Sequence, residues 1–229
     1  YSDYQIIGRA NNLLISPNTN KRFAVLGEAF DYIKQEGNLL YVGCATTSGK
    51  LLTYTRNNDI ANLEFLAKLP GNLGGLVKMN AGLKSWEMFN YIHSIKTKDG
   101  YIKKEDVDFS YRETKINTIV YEVVFNIEFG FSKEKLKEFN KMRDNQPHVP
   151  SAGSCFKNPK GDFAGRLIQA VGLKGIKQGD MSFSELHANF LVNYGNGLFE
   201  DAVYLIEIAK KKIKEEFDID IEEEIIIYK

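Results

Sequence analysis

Short apolar runs broken by turns fill the beginning of the chain. Their alternation with polar residues predicts β-strands at 4–7, 13–15, 23–26 and 39–42. Apolar residues at helical spacing then predict helices at 49–56, 61–68 and 86–90. The chain therefore opens with a strand-rich region, and helical segments follow it.

A hairpin pattern marks the middle of the chain. Asp99-Gly100 is a favoured tight-turn pair, and it joins two predicted strands at 92–97 and 101–103. Residues 118–129 are rich in β-branched and aromatic side chains, which predicts a long, partly buried strand.

Helical patterns return in the last part of the chain. Ser132 can cap a helix that runs to about residue 145, and Glu134 suits the positive end of its dipole. The amphipathic segment 200–217 predicts a long helix, and strands are predicted at 189–194 and 219–228. A further helix, closed by Gly172, is predicted from the apolar residues Phe163, Leu167, Ile168 and Val171. Because strands and helices mix without regular β-α alternation, the predicted fold class is α+β.

Composition narrows the function classes. Thirty basic and thirty acidic side chains give a net charge of zero, so no global field attracts nucleic acid or an anionic membrane. No apolar run approaches the roughly 20 residues needed to cross a bilayer. Cys44 and Cys155 fit neither a disulfide framework nor metal-ligand spacing, which favours a reduced, cytoplasmic setting. The chain starts at Tyr1 rather than methionine, so we expect a preceding N-terminal segment, and a removed signal peptide stays open.

Two glycine-containing segments can approach a phosphate or a flat ring. The turn at 8–14 follows a strand and can form an anion-binding nest, although an ordinary β-turn would carry the same residues. Gly71, Gly74 and Gly75 let the backbone approach a ligand without side-chain obstruction. A flexible linker is the alternative there, but a linker seldom runs straight into an apolar segment.

Ser154 is the most informative single residue. It lies in a tight turn framed by glycine, and Lys157 and Asn158 follow it. By itself it fits a turn-capping serine or a hydrolase nucleophile. The segment 152–156 lacks the second glycine of the G-x-S-x-G elbow, and no catalytic aspartate pattern accompanies the histidines, so a hydrolase ranks low.

The segments 143–159, 69–82 and 221–225 together resemble the UDP-N-acetylenolpyruvoylglucosamine reductase family, flavoenzymes that make UDP-N-acetylmuramate for bacterial cell walls. The resemblance spans nearly the whole chain. It implies a two-part FAD-binding region of the vanillyl-alcohol-oxidase-like type and an α+β substrate-binding domain. The implied boundaries are 1–65 for the first FAD-binding part, expected to be incomplete at its N-terminus, 66–131 for the second, and 132–229 for the substrate domain.

The resemblance also implies which residues bind the cofactor. These are Gly8, Asn11, Asn12, Leu13, Pro70, Gly71, Gly74, Gly75, Asn80, Ala81 and Gly82. Ala10 and Asn11 stand where the family usually has a glycine and a serine. The segment 83–85 replaces an aromatic stretch of longer members, which places the chain in the compact branch and implies that it lacks their tyrosine contact to the substrate diphosphate.

Catalytic and substrate-binding residues follow from the same resemblance. Ser154 would protonate the substrate carbon, Arg112 would face its carboxylate, and the catalytic Glu224 would stabilise the enolate-like transition state together with Arg112. On a strand, alternation would put Glu222 and Glu224 on one face and Glu223 on the other. Glu224 is chosen among the three because the catalytic glutamate of the family directly precedes the apolar end of this strand. The substrate-binding residues would be Asn158, Lys174 and His187. Without the resemblance, Arg112 and Lys174 would be surface charges, His187 a satisfied histidine, and the glutamates a solvated acidic edge.

The implied reaction is a two-step reduction. NADPH reduces FAD, and the flavin then passes a hydride to UDP-N-acetylglucosamine enolpyruvate. The implied setting is a cytoplasmic monomer that does not bind membranes or nucleic acid. A different FAD oxidoreductase of the same fold group is the first alternative, and a ligand-binding module without activity is the second.

Overall fold

The computed structural model describes residues 3–229. Its helices are α1 (Ser48–Asn57), α2 (Leu73–Lys78), α3 (Lys133–Met142), α4 (Ala164–Ala170) and α5 (Phe199–Phe217). Its strands are β1 (Tyr4–Ile6), β2 (Leu13–Ile15), β3 (Arg22–Ala24), β4 (Ile33–Glu36), β5 (Leu39–Gly43), β6 (Gly82–Leu83), β7 (Trp86–Glu87), β8 (Ile92–Thr97), β9 (Gly100–Lys103), β10 (Phe109–Ser110), β11 (Glu113–Thr114), β12 (Glu122–Asn126), β13 (Ser151–Ser154), β14 (Lys177–Gln178), β15 (Met181–Phe183), β16 (Phe190–Asn193) and β17 (Ile226–Tyr228).

The described chain folds into two compact units, each with its own apolar core. The first unit contains the residues up to Arg9 and the segment Arg22–Asp144. The second contains Ala10–Lys21 and Asn145–Lys229. The mixture of helices and antiparallel sheets in each unit agrees with the predicted α+β class.

The first unit is organised around a five-stranded antiparallel sheet in the order β4-β5-β12-β8-β9. Its central strand β12 is buried because apolar residues continue along it. Val123 pairs with Val42 on one side and with Ile95 on the other, and none of the three is exposed. The short helix α2 packs against β5 and β12, which holds the glycine-rich loop close to this core.

The second unit contains a four-stranded antiparallel sheet in the order β13-β16-β15-β14. The long helix α5 covers it with one apolar face, where Ala202, Ile206 and Ala209 are fully buried. A separate parallel pair joins β17 to β2, with Ile226 opposite Leu13. This pair places the segment Ala10–Lys21 in the second unit, far in sequence from the rest of it.

The structure confirms the hairpin, the Ser132 cap and the amphipathic helix. Strands β8 and β9 flank the Asp99-Gly100 turn, and the Ser132 hydroxyl accepts a hydrogen bond from Lys135 N at 3.1 Å. Helix α5 agrees with the predicted segment 200–217 to within one residue.

Several predicted elements are shorter or different. The predicted helix at 61–68 is only a 3₁₀ turn, Glu64–Leu66, because Asn62 and Lys68 adopt left-handed backbone conformations with φ of 72° and 52°. The predicted helix at 86–90 is strand β7 followed by a 3₁₀ turn. Strand β4, which alternates half-buried and exposed residues, was not predicted.

The predicted strand at 219–228 is regular only over β17. Because the preceding residues are irregular, the predicted alternation of the glutamates is wrong. Glu222 is exposed, whereas Glu223 and Glu224 are both half-buried. Phe163, predicted to face the core, instead precedes α4 and is 68% exposed.

The two units also differ from the predicted domain boundaries. Residues 10–21 lie in the second unit, not in an N-terminal domain, and α3 lies in the first unit, although Ser132 was expected to open the last domain. The division of the first unit into two FAD-binding parts stays a prediction. Within residues 3–229, no helix combines the length and the apolar character that a membrane span requires.

Candidate functional site

The glycine-rich loop at 69–75 is held in place by main-chain hydrogen bonds in the first unit. Leu73 N donates to Thr46 O at 2.8 Å, and Ser48 N donates to Gly71 O at 3.1 Å. The Ser48 hydroxyl donates to Leu69 O. Gly71 has a φ of 123°, a backbone conformation that residues with a side chain rarely adopt, so this position favours glycine.

Three glycines of this region have different reasons to be glycine. A Cβ at Gly74 would lie 3.1 Å from Cys44 Cβ, so close packing explains it. A Cβ at Gly82 would lie 2.1 Å from Trp86 O, so the pairing of β6 with β7 requires its absence. Gly75 has an ordinary helical backbone, and a Cβ there would meet nothing within 4 Å. Its absent side chain leaves open space over the start of α2.

Asn72, the residue that precedes α2, carries an unsatisfied hydrogen-bond acceptor. Asn72 Oδ1 is buried and has no hydrogen-bond partner among residues 3–229. A buried acceptor without a donor is costly, so a ligand that brings an N–H group would satisfy it. Gly8 is also close, because a Cβ there would lie 3.7 Å from Asn72 Cβ. Gly8 and Asn72 are therefore neighbours in the first unit, and Asn72 directly precedes the helix that carries Gly75. An unsatisfied acceptor and an uncovered glycine fit a flat heterocycle that brings an N–H group.

Asn80 and Ala81 have structural roles in the first unit. Asn80 is fully buried, and its Nδ2 donates to Glu87 Oε2 and to Ser110 O, both at 3.0 Å. Its Oδ1 accepts from Phe89 N at 3.1 Å. Both amide protons are therefore used within the protein. Ala81 is also buried, so any contact of this pair with a cofactor would come from the backbone.

Arg112 is fixed by the same network. Its Nη1 donates to Glu87 Oε1 at 3.3 Å, and its Nη2 donates to Gly82 O at 2.9 Å. Only 11% of its side chain and 18% of that of Glu87 are exposed. Burial raises the pKa of Glu87, while Arg112 and Asn80 oppose this effect. Sequence reasoning missed Glu87, because its partner is distant in the chain and the residue itself lies in a segment predicted to be helical.

In the second unit, main-chain hydrogen bonds bring the segments of Ser154 and Glu224 together. Glu224 N donates to Cys155 O at 2.8 Å, and Lys157 N donates to Glu222 O at 2.9 Å. Ser154 ends β13 directly before Cys155 and is half-buried. Two of the three predicted catalytic residues therefore belong to adjacent backbone segments of one compact unit.

The Asn12 segment supports Glu224. Asn12 Nδ2 donates to Glu224 O at 2.9 Å, and Asn12 O accepts from Ile226 N at 2.9 Å. A Cβ at Gly153 would lie 3.6 Å from Asn11 O. The residues predicted from their turn to bind a cofactor thus also hold the glutamate segment. Their contact with a cofactor stays a prediction.

Asn189 fixes the loop that follows Ser154. Its Oδ1 accepts from Phe156 N at 3.0 Å, and its Nδ2 donates to Phe156 O at 2.8 Å. Asn158 Oδ1 accepts from Ala164 N at 3.0 Å, which ties the loop to the start of α4. The Asn189 amide thus satisfies both the backbone N–H and the backbone C=O of Phe156, as a paired strand would do. The sequence motifs did not identify Asn189 as a functional residue, because its partner Phe156 is distant in the chain.

Lys174 and His187 are close enough to interact electrostatically. Burial lowers the pKa of His187, and the positive charge of Lys174 contributes to the decrease. His187 Nδ1 accepts a hydrogen bond from Asn189 N at 3.3 Å. A neutral imidazole beside an ammonium group suits a ligand that carries anionic oxygen atoms.

The predicted site residues divide between the two units as follows. The first unit holds Gly8, Pro70, Gly71, Gly74, Gly75, Asn80, Ala81, Gly82 and Arg112. The second unit holds Asn11, Asn12, Leu13, Ser154, Asn158, Lys174, His187 and Glu224. Cys155 is fully buried, and burial raises the pKa of its thiol, so it acts through its backbone carbonyl and not as a nucleophile.

The family model and the curated relatives agree on one family. The model of the UDP-N-acetylenolpyruvoylglucosamine reductase C-terminal domain matches residues 145–228. The reductase of Helicobacter hepaticus is 47% identical over 223 residues, which cover 97% of this chain and 84% of that protein. The reductase of Campylobacter jejuni is 46% identical over 227 residues, covering 97% of this chain and 88% of that protein.

A solved structure supports the relationship. The crystal structure of UDP-N-acetylenolpyruvylglucosamine reductase from Thermus caldophilus matches with a TM-score of 0.88 at 30% sequence identity. The match covers 99% of this chain and 86% of that one, which confirms the predicted fold class. With nearly half of its residues identical to curated reductases over almost its full length, the chain belongs to the UDP-N-acetylenolpyruvoylglucosamine reductase family.

Proposed function

We propose that this protein reduces UDP-N-acetylglucosamine enolpyruvate to UDP-N-acetylmuramate, with FAD as cofactor and NADPH as hydride donor, as a cytoplasmic monomer. The observation that carries the proposal is the backbone pairing of the Ser154 and Glu224 segments through Cys155 O and Glu224 N. In a chain of this family, such pairing places a hydroxyl and a carboxyl group on neighbouring backbone segments.

The cofactor would be held in the first unit by the backbone around Gly75, with Asn72 Oδ1 as an acceptor for one of its N–H groups. FAD supplies the hydride once NADPH has reduced it. The protein's own contribution is to bind the ring without side-chain obstruction and to orient it.

Arg112 is assigned to the substrate carboxylate. Hydride addition to the vinyl carbon moves negative charge toward the carboxylate, so a fixed guanidinium stabilises the transition state more than the ground state. The ion pair with Glu87 and the bond to Gly82 O hold this guanidinium in one orientation. Little reorganisation is then needed as the charge develops.

Ser154 and Glu224 are assigned to the protonation of the substrate and to the stabilisation of the charge that precedes it. The carbon that carries the carboxylate must gain a proton, and the Ser154 hydroxyl can deliver it to a strongly basic carbanion. Glu224, in its protonated form, can donate a hydrogen bond to the developing charge. Asn158, Lys174 and His187 would bind the diphosphate and sugar parts of the nucleotide.

The visible spectrum tests this function. We expect a yellow protein whose flavin bands bleach with NADPH under anaerobic conditions and return when UDP-N-acetylglucosamine enolpyruvate is added. Bleaching without return would assign the protein to another substrate of the same fold group. A colourless protein that does not take up FAD, even with an N-terminally extended chain, would contradict the flavoenzyme assignment.

Glu87 is expected to act as a positioning residue for Arg112. Glu87→Gln removes the ion pair, and since a hydrogen bond to a charged group contributes about 1.5–3 kcal/mol, we expect the enolpyruvyl nucleotide to reoxidise the flavin about 10-fold to 100-fold more slowly. NADPH should still bleach the flavin at the wild-type rate. Steady-state and stopped-flow kinetics measure the two effects.

The matched control is Glu36→Gln, at an exposed glutamate of the same unit. It should leave both rates unchanged. A folded Glu87→Gln protein whose flavin is reoxidised at the wild-type rate would contradict the positioning role. Slowing of both half-reactions together would indicate a general structural defect instead.

A further inference from the structure

Three consecutive glutamates, Glu222 to Glu224, lead into the last strand of the second unit. Their side chains are chemically identical, so residue type alone does not decide which of them turns toward the Ser154 segment. The backbone of this run is irregular and becomes a regular strand only at β17. The place of Glu224 must therefore be fixed by contacts that distinguish it from the adjacent glutamates.

The backbone at Glu224 has the hydrogen-bond pattern of a β-bulge. Glu224 N and Ile225 N both donate to Cys155 O, at 2.8 Å and 3.4 Å. Glu223, the residue before them, forms an antiparallel bridge with Phe156. Two residues of this segment thus oppose one residue of the facing segment, and a bulge of this kind changes the direction of a side chain.

The residue types of the run also permit the bulge one position earlier. If the extra residue lay opposite Phe156 instead of Cys155, the two bulged residues would be Glu223 and Glu224. Glu222 could keep its backbone partner, since its carbonyl oxygen already accepts from the residue that follows Phe156. Such a move would change the directions of the two glutamate side chains, because successive residues of a strand point to opposite faces.

Lys210 distinguishes the two glutamates because it contacts only the first of them through its ammonium group. It lies on α5, and its Nζ donates to Glu223 Oε1 at 2.9 Å. Both side chains are partly buried, with 36% of Lys210 and 26% of Glu223 exposed. This hydrogen bond raises the pKa of Lys210 above its usual value. The pair of Lys157 with Glu222 is longer, 3.3 Å, and more exposed, so it contributes less.

We propose that Lys210 is a positioning residue for Glu224. Its ion pair holds the Glu223 side chain toward α5, which fixes the bulge at the next residue and leaves Glu224 as the carboxyl group beside the Ser154 segment. A hydrogen bond from Asn12 Nδ2 to Glu224 O holds the bulge from its other side. The catalytic consequence of this inference rests on the proposed function.

The kinetic test compares Lys210→Gln, Glu223→Gln and the double variant in the FAD-loaded enzyme. Both single substitutions remove the same ion pair, so each should slow reoxidation of the flavin by the enolpyruvyl nucleotide about 3-fold to 10-fold. The double variant should be no slower than either single variant, because the pair is lost only once. Reduction by NADPH should keep the wild-type rate.

Two further variants separate this role from a general effect of charge. Lys210→Arg keeps the positive charge and the donors, so it should restore reoxidation. Lys211→Gln is the matched control, because Lys211 is the next residue of α5 and its Nζ lies 3.9 Å from Glu215 Oε1 in an exposed pair. It should leave both half-reactions unchanged. Failure of arginine to restore the rate, or equal slowing by Lys211→Gln, would overturn the positioning role.

Hydrogen exchange gives a readout that does not depend on catalysis. In Lys210→Gln, the Glu224 amide should exchange about 3-fold to 10-fold faster, because the loss of the ion pair favours opening of the bulge. The Ser184 amide, which donates to Phe190 O at 2.8 Å, should keep its wild-type exchange rate. Equal acceleration at both amides would show a general loss of stability and would overturn the proposal.

Wild-type exchange of the Glu224 amide in Lys210→Gln would also overturn it, and so would wild-type reoxidation in both single variants or additive slowing in the double variant. If the wild-type flavin is not reoxidised by the enolpyruvyl nucleotide, the proposed function fails on its own. The exchange rates of the Glu224 and Ser184 amides then decide alone whether Lys210 fixes the bulge.

Discussion

Ser154→Ala is expected to separate the two half-reactions. The variant should be yellow and should bleach with NADPH at the wild-type rate, but the enolpyruvyl nucleotide should reoxidise it about 10²-fold to 10⁴-fold more slowly. The reason is that the Ser154 hydroxyl, at the end of β13, is assigned to the proton that follows hydride transfer and not to the reduction of the flavin by NADPH. Anaerobic stopped-flow absorbance measures each step.

Ser151→Ala is the matched control for this experiment. Ser151 lies on the same strand, and its hydroxyl accepts only a long hydrogen bond from Gly153 N, 3.4 Å. It should retain both half-reactions. Normal reoxidation of Ser154→Ala would remove the serine from the proton-donor role, and slow reduction by NADPH would indicate that the substitution disturbs the flavin as well.

The sequence predicts the segments of this site better than the contacts within them. Ser154 and Arg112 are recognisable because the short segments around them resemble those of the reductase family. Glu87 and Asn189 are not recognisable, because their roles consist of hydrogen bonds to Arg112 and Phe156, which are distant in the chain. No periodicity in a single sequence specifies such pairs.

The same limit explains the errors in the fold. The hairpin and α5 depend on local turn chemistry and on one continuous apolar face, so their patterns are sufficient. The assignment of the segment 10–21 depends instead on the pairing of β2 with β17, at the opposite end of the chain. The predicted helix at 61–68 fails because the backbone is left-handed at Asn62 and Lys68, and tertiary packing can override helical spacing.

Gly75→Ala and Gly82→Ala are expected to have opposite effects on the apoprotein. Gly75→Ala should keep or raise its stability, by up to about 1 kcal/mol, because a Cβ there meets nothing and alanine favours the helix α2. Gly82→Ala should lower its stability by at least about 1–3 kcal/mol, because a Cβ would lie 2.1 Å from Trp86 O and force β6 away from β7. Urea unfolding of the two apoproteins measures both values.

The FAD affinities of this pair decide whether the flavin lies over Gly75. If the flavin lies over Gly75, the methyl group of Gly75→Ala occupies space that the ring needs, and overpacking of about 1–3 kcal/mol corresponds to a loss of affinity of about 10-fold to 100-fold. Such a loss in a protein of undiminished stability cannot come from a damaged fold. Gly82→Ala should lose FAD affinity only together with stability, and it should also displace Arg112, whose Nη2 donates to Gly82 O. Wild-type FAD affinity in Gly75→Ala, measured by flavin fluorescence, would place the cofactor away from this glycine.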